Sequence, residues 1–148
     1  EDGRTPLYIA CKNGHVDAAR LLLEKGAAVD LAKEDGTTPL YIACQNGHVD
    51  VARLLLDNGA AVDRAEEKGL TPLLSACLKG NVDAVRLLLE KGASVNQATE
   101  GGLTPLLFAI SSRHISVVKI LLERGAEVDQ AMNDGRTPLI AACEDGHV

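Results

Sequence analysis

Large aromatic side chains are almost missing from this chain of 148 residues: there is no tryptophan, and only Tyr8, Tyr41 and Phe108 carry a benzene ring. A core without large rings must be packed by leucine, valine and alanine, which suits thin helices lying close together better than one globular centre. Proline is confined as tightly. All five prolines lie in a Thr-Pro-Leu tripeptide, so none remains to break or kink another segment. A basic excess is also lacking, with 15 Lys+Arg against 21 Asp+Glu and a net charge of −6. This argues against nucleic acid or an anionic membrane as the main partner, because phosphate-rich surfaces need a cationic footprint. No apolar run approaches the roughly 20 residues that span a bilayer, and no charged-then-apolar leader opens the sequence. HExxH, CxxC, a phosphate-cradling glycine loop and a nucleophile elbow are all missing, so no familiar catalytic, metal or cofactor signature is present.

What the chain has instead is a period. The threonines of Thr-Pro-Leu stand at Thr5, Thr38, Thr71, Thr104 and Thr137, 33 residues apart each time. A fixed period of this length means one supersecondary unit that cannot bury its apolar face alone and becomes stable by stacking on copies of itself. Function must then be read from what differs between copies.

The cysteines obey the period. Cys11, Cys44, Cys77 and Cys143 share one slot, which Ile110 fills in the fourth copy, so the slot is apolar. Equivalent positions on stacked helices lie roughly 8–10 Å apart, beyond the ~7 Å Cα limit for a disulfide. The expectation is four reduced, buried thiols and a cytosolic or nuclear setting. The histidines share another slot, at His15, His48, His114 and His147, with Asn81 in the third copy. Side chains repeated at this interval line up along a stack rather than converge on a point, so they read as structural, with no metal, cofactor or catalysis expected. The carboxylates Glu66/Glu67 and Asp134/Glu144 read as solvated charges rather than an acid and base pair.

The second copy shows the local grammar. Thr38 can cap a helix and Pro39 take its first position; Leu40, Ala43 and Cys44 recur at helical spacing, and Gly47 closes the helix. A second helix starts near His48, has Asp50 in its first turn, turns Val51, Leu54, Leu55 and Leu56 inward, and stops at Gly59. Residues 60–69, with the apolar Val62 among them, read as a hairpin-like finger.

This pattern resembles the ankyrin repeat over essentially the whole chain. The resemblance is carried by the Thr-Pro-Leu openings, the pairs Gly14/His15, Gly47/His48 and Gly146/His147, the apolar runs at Leu21, Leu54, Leu87 and Ile120, and the Gly-Ala pairs at Gly26, Gly59, Gly92 and Gly125. It implies an all-α solenoid of stacked helix-turn-helix repeats with hairpin-like fingers, and a binding face built from fingers and first helices. As a domain plan it implies one unit over 1–148, with repeats at about 1–32, 33–65, 66–98 and 99–131 and a partial fifth at 132–148. Starting at a finger and stopping before a second helix, the sequence reads as an excerpt of a longer array without polar capping copies, and its open ends predict head-to-tail self-association.

Two departures from the family pattern stand out, together with a close likeness between two copies. Tyr8, Tyr41, Leu74, Leu107 and Ile140 occupy the place where the family usually has histidine, so packing should replace that residue's hydrogen bond. Arg113 stands where Gly14, Gly47, Gly80 and Gly146 occur in the other copies, at a cost of about 1 kcal/mol, which makes the fourth copy the most strained. Copies one and two differ, over Thr5–Asp30 against Thr38–Asp63, only at Lys12/Gln45, Ala18/Val51, Glu24/Asp57 and Lys25/Asn58, as in a recent duplication or a consensus-like design.

In ankyrin repeats the slots left free for partners are the finger tip, the residue before Thr-Pro-Leu and the pair ending the first helix. Here the tips carry Asp2, Glu34, Asp35, Glu66, Glu67, Lys68, Glu100 and Asp134; the motif is preceded by Arg4, Thr37, Leu70, Leu103 and Arg136; and the first helices end in Gln45, Asn46, Leu78, Lys79, Ser111 and Ser112. Leucines 70, 103 and 78, rimmed by charge, read as the centre of a surface for an extended or helical protein segment, apolar and/or basic. The competing reading folds these leucines inward onto neighbouring fingers. Two further possibilities are an engineered scaffold, or the regulatory or substrate-recruiting part of a larger enzyme or channel. The resemblance also implies Asn96 as a candidate for oxygen-dependent hydroxylation; its plainer reading is a turn-stabilising amide.

Overall fold

The computed structural model describes residues 3–138, 140 and 143. Eight helices and no strands occur among the described residues, arranged as four pairs. The first helices of the pairs are α1 (Pro6–Lys12), α3 (Pro39–Gln45), α5 (Pro72–Lys79) and α7 (Pro105–Ser111); the second are α2 (Val16–Glu24), α4 (Val49–Asp57), α6 (Val82–Glu90) and α8 (Ile115–Glu123).

Each first helix starts for the same reason. The threonine before it is extended, and its hydroxyl accepts the third amide of the helix: Tyr8 N donates to Thr5, Tyr41 N to Thr38, Leu74 N to Thr71 and Leu107 N to Thr104, at 3.1–3.2 Å. Proline follows at the first position, where its missing N–H costs nothing. The chain then reverses through Gly14, Gly47 and Gly80, at φ 73, 74 and 71°, and through Arg113 at φ 60°. Arg113 is the one non-glycine residue at positive φ among the described residues, as its slot predicts.

The helices pack in two ranks. Contacts run α1 to α3 to α5 to α7 and α2 to α4 to α6 to α8, with each pair also packed within itself. Between the ranks lies a narrow core of Leu40, Leu55, Leu73, Leu88 and Leu121, with alanines and thiols where backbones approach closely. Burying each such leucine is worth about 1.5–3 kcal/mol. Tyr8, Tyr41, Leu74 and Leu107 are all buried, so packing does take over the slot that family members fill with histidine. Cys11, Cys44 and Cys77 are buried, and desolvation pushes each thiol up to about 12. Cys143 corrects the expectation of four buried thiols. It is exposed, because no helix among the described residues packs over the fifth copy as α5 and α7 pack over earlier ones.

The histidine slot is an interlock between copies. His48 Nε2 faces Lys12 O at 3.1 Å and His114 Nε2 faces Leu78 O at 3.2 Å, so the carbonyl acceptor sets the Nε2–H form of the ring. Asn81 serves the same end by donating Nδ2 to Cys44 O and Gln45 O at 2.9 and 2.8 Å. His147 lies outside the described residues.

The fingers are tight turns rather than strand ladders. Two main-chain bonds close each: Lys33 N to Thr37 O, Glu66 N to Leu70 O, Thr99 N to Leu103 O and Met132 N to Arg136 O at 2.8–3.1 Å, with Gly36 N, Gly69 N, Gly102 N and Gly135 N returning to Lys33 O, Glu66 O, Thr99 O and Met132 O at 2.9–3.0 Å. Successive fingers are joined by Glu67 N donating to Asp35 O at 3.1 Å and Asn133 N to Gly101 O at 3.3 Å.

Candidate protein-binding surface

The finger acids are less free than the sequence suggests. In the four fingers that precede Thr38, Thr71, Thr104 and Thr137 the amide of the residue before Thr-Pro is satisfied by a side chain, in one of two ways. Asp35 and Asp134 reach forward two residues, accepting Thr37 N and Arg136 N at 3.0 Å. Where that slot holds Lys68 or Gly101, the residue two places earlier acts instead: Glu66 Oε1 accepts Leu70 N at 3.0 Å and Thr99 Oγ1 accepts Leu103 N at 3.2 Å. Asp35 and Glu66 are therefore spent on their own turns. Asp35 is held by its bonds from Thr37 and then from Lys33 Nζ, 2.9 Å away, which bring its carboxyl down to about 2. Asp134 is likewise lowered, first by its bonds to Arg136, which pairs with it at 2.8 Å. Glu34, Glu67, Lys68 and Glu100 remain as exposed tip charges.

The slot before Thr-Pro-Leu divides the two readings of the leucines between them. Thr37 is 8% exposed, Leu70 is half-buried and Leu103 is 37% exposed. Leu70 folds partly against its neighbours while Leu103 projects. Leu78 is half-buried at the end of α5, where its carbonyl accepts the His114 ring, with the exposed Lys79 beside it. Asn46 is exposed but tied to the preceding copy, donating Nδ2 to Lys12 O at 2.9 Å, and the Gln45 carbonyl is taken by Asn81. Ser111 is exposed, Ser112 half-buried as the cap of α7, and Arg136 exposed. Asp2 and Glu144 lie outside the described residues.

Asn96 belongs to a regular linkage. Asp30 accepts Ala61 N, Asp63 accepts Ser94 N, and Asn96 Oδ1 accepts Glu127 N at 2.9 Å, each joining a finger to the next copy. The side chain is half-buried and acts as a turn-to-turn amide.

Sequence reasoning missed the aromatic side of this face. Lys33 Nζ lies 5.7 Å above the Tyr8 ring. In the next copy Tyr41 is 6% exposed, and burial, followed by the charges of Glu66 and Asp35, raises its phenol against an opposing effect of nearby Ser75. Ser75 Oγ is wholly buried and has no partner of good hydrogen-bond geometry, although the phenol is near enough to sense it. A polar serine in the slot of Ile9, Ile42 and Phe108 was the available signal.

Paired helices joined by finger turns, each pair docked on the next, define a helical repeat solenoid. The family model for ankyrin repeats (3 copies) matches residues 1–66, 61–132 and 101–148, and the chain belongs to the ankyrin repeat family. Ankyrin repeats are in general protein–protein interaction modules and typically non-catalytic. No curated protein matches the chain closely enough to count as a relative. Among the described residues no helix is long and apolar enough to cross a membrane.

Proposed function

We propose that residues 1–148 act as one non-catalytic binding unit that takes an extended or helical protein segment, apolar and/or basic, on the face of fingers and first helices. Leu103 carries the reading: a large apolar side chain stands 37% exposed where the second copy buries a threonine. Leu70 and Leu78 flank it as half-buried apolar surface, and Glu67, Lys68 and Glu100 supply a charged rim. Glu34, Lys79, Ser111, Ser112 and Arg136 extend the polar periphery, whereas Asp35, Gln45 and Asn46 contribute through main chain and turn rigidity. Such a preformed surface binds with little rearrangement. The three buried thiols support a cytosolic or nuclear setting.

Peptides selected by display against the chain test the site. Replacing Leu70 and Leu103 with Asp should weaken the selected peptides by tenfold or more, as losing one or two buried leucine contacts implies, while far-ultraviolet circular dichroism stays unchanged. Undiminished affinity in that double variant removes both leucines from the site.

A further inference from the structure

Two rims of opposite charge border the face of fingers and first helices. Along one, Glu34, Glu67 and Glu100 fill a single slot at the tips of three successive fingers, and all three are exposed. Their carboxylates do not close turns as those of Asp35 and Glu66 do. Lys33 is paired with Asp35, so Lys68 is the remaining cation at these tips. The other rim is the turn that leaves each first helix. It is cationic in the third and fourth copies, with Lys79 exposed at the end of α5 and Arg113 exposed in the turn after α7. Arg113 keeps a side chain at φ 60° where Gly14, Gly47 and Gly80 avoid the strain, so a cation is retained there against the local geometry. Between the rims, in chain order, lie Leu70 and Leu103 on the finger side and Leu78 on the turn side.

Dimensions select the occupant. A first helix of seven or eight residues holds the rims about 10–12 Å apart, which is the diameter of an α-helix with its side chains. Successive copies stand roughly 8–10 Å apart and two turns of an α-helix advance about 10.5 Å, so residues seven apart on a partner helix meet equivalent slots of neighbouring copies. A β-strand falls out of step, because its same-face residues recur at about 6.7 Å. A polyproline-II segment keeps step at about 9.3 Å per turn, but its three rows of side chains point about 120° apart and only one can face the floor. An α-helix carries an apolar stripe between two polar flanks on adjoining faces. A leucine floor with one acidic and one basic rim is the complement of that arrangement.

Resting on the reading of this face as a protein-binding surface, we infer that its occupant is an amphipathic α-helix lying along the stack, with a Lys/Arg flank over the finger-tip glutamates and an Asp/Glu flank over Lys79 and Arg113. Glu34 and Glu100 are two copies apart, so about 11–14 residues of helix span the acidic rim. The apolar residues of the occupant recur at i, i+3 or i+4, and i+7.

Peptides of about 16 residues, selected by display from a random library against the folded chain and then synthesised, are the probes, with binding read by fluorescence anisotropy. Those weakened by Leu70→Asp with Leu103→Asp report on this face; if none is weakened, the binding-face reading fails and this inference with it. In the face-dependent peptides a central proline should weaken binding at least tenfold, since it breaks a helix. Glu67→Lys with Glu100→Lys should weaken them about threefold or more, as two exposed ion pairs imply, and remaking the Lys/Arg flank of the peptide with Glu should recover the loss. Lys79→Glu should weaken them in turn, with recovery when the opposite flank is made basic. Face-dependent peptides that tolerate the proline overturn the helical occupant while the binding face stands. Charge reversals without effect, or without recovery from the altered flank, overturn the assignment of the two flanks.

Discussion

Gly14, Gly47 and Gly80 each answer two demands, of which the sequence displays only one. Their positive φ is legible from a glycine recurring after a short helix. The second demand comes from the neighbouring copy: a Cβ on Gly14 would lie 2.7 Å from His48 Nδ1 and one on Gly80 2.5 Å from His114 Nδ1, while Gly47, facing the slimmer Asn81, would see 3.2 Å. Gly80→Ala should accordingly cost about 2 kcal/mol or more, from left-handed strain of 1–2 kcal/mol together with displacement of the ring. Gly47→Ala should cost less, because the amide can give way. Arg113 carries the strain without the glycine, so Arg113→Gly should raise stability by about 1 kcal/mol. Thermal denaturation of the three variants checks both the signs and the order. Two acids of the finger tips likewise meet a demand that the sequence does not display. Asp35 and Glu66 stand where a partner contact is expected, but their carboxylates close turns whose geometry becomes visible only once Thr37 N and Leu70 N are placed.

Among the elements, the first helices were the most legible and the fingers the least. Thr-Pro-Leu specifies its helix by local chemistry alone, a hydroxyl cap followed by a proline that needs no partner, and so α1, α3, α5 and α7 start where the tripeptide places them. The second helices depend more on their neighbours: none has a side-chain cap, and the entries of α4, α6 and α8 are held by a ring or amide reaching back to the preceding copy. The fingers resemble hairpins in sequence, but the two main-chain bonds that close each turn are not continued into a strand ladder. This division predicts where a cap matters. Thr71 is 1% exposed and its hydroxyl accepts Leu74 N at 3.2 Å, so Thr71→Ala should destabilise by about 1 kcal/mol, whereas Thr71→Ser should retain most of the cap. Urea denaturation with an unchanged m-value would place the loss in the native helix rather than in the unfolded chain.

On the scale of the whole molecule, each copy is finished by the next, and the two ends show what an unfinished copy exposes. In the first copy Ile9 is 38% exposed and Leu21 59%, while Ile42 is 7% and Leu87 1% exposed in later copies, where a preceding pair covers the same slots. Leu31 adds to this face, 55% exposed in a slot that otherwise holds Arg64, Gln97 and Gln130. It closes an apolar hollow with Pro6, Leu7, Leu22, Ala27 and Ala28. Toward the other end Ile115, Leu122 and Val128 are 61, 44 and 54% exposed, although their counterparts Val82, Leu89 and Val95 are half-buried. These two faces differ from each other and echo the two sides of an internal junction, so contact between them is heterologous and need not close into a ring. Static light scattering of the 148-residue chain should therefore show an average mass that climbs with concentration, and Leu21→Lys with Leu31→Lys should flatten that rise while leaving the helical signal in place. A mass fixed at one chain across the accessible concentration range would mean that the exposed edge is too small, or too well solvated by its charged neighbours, to drive association.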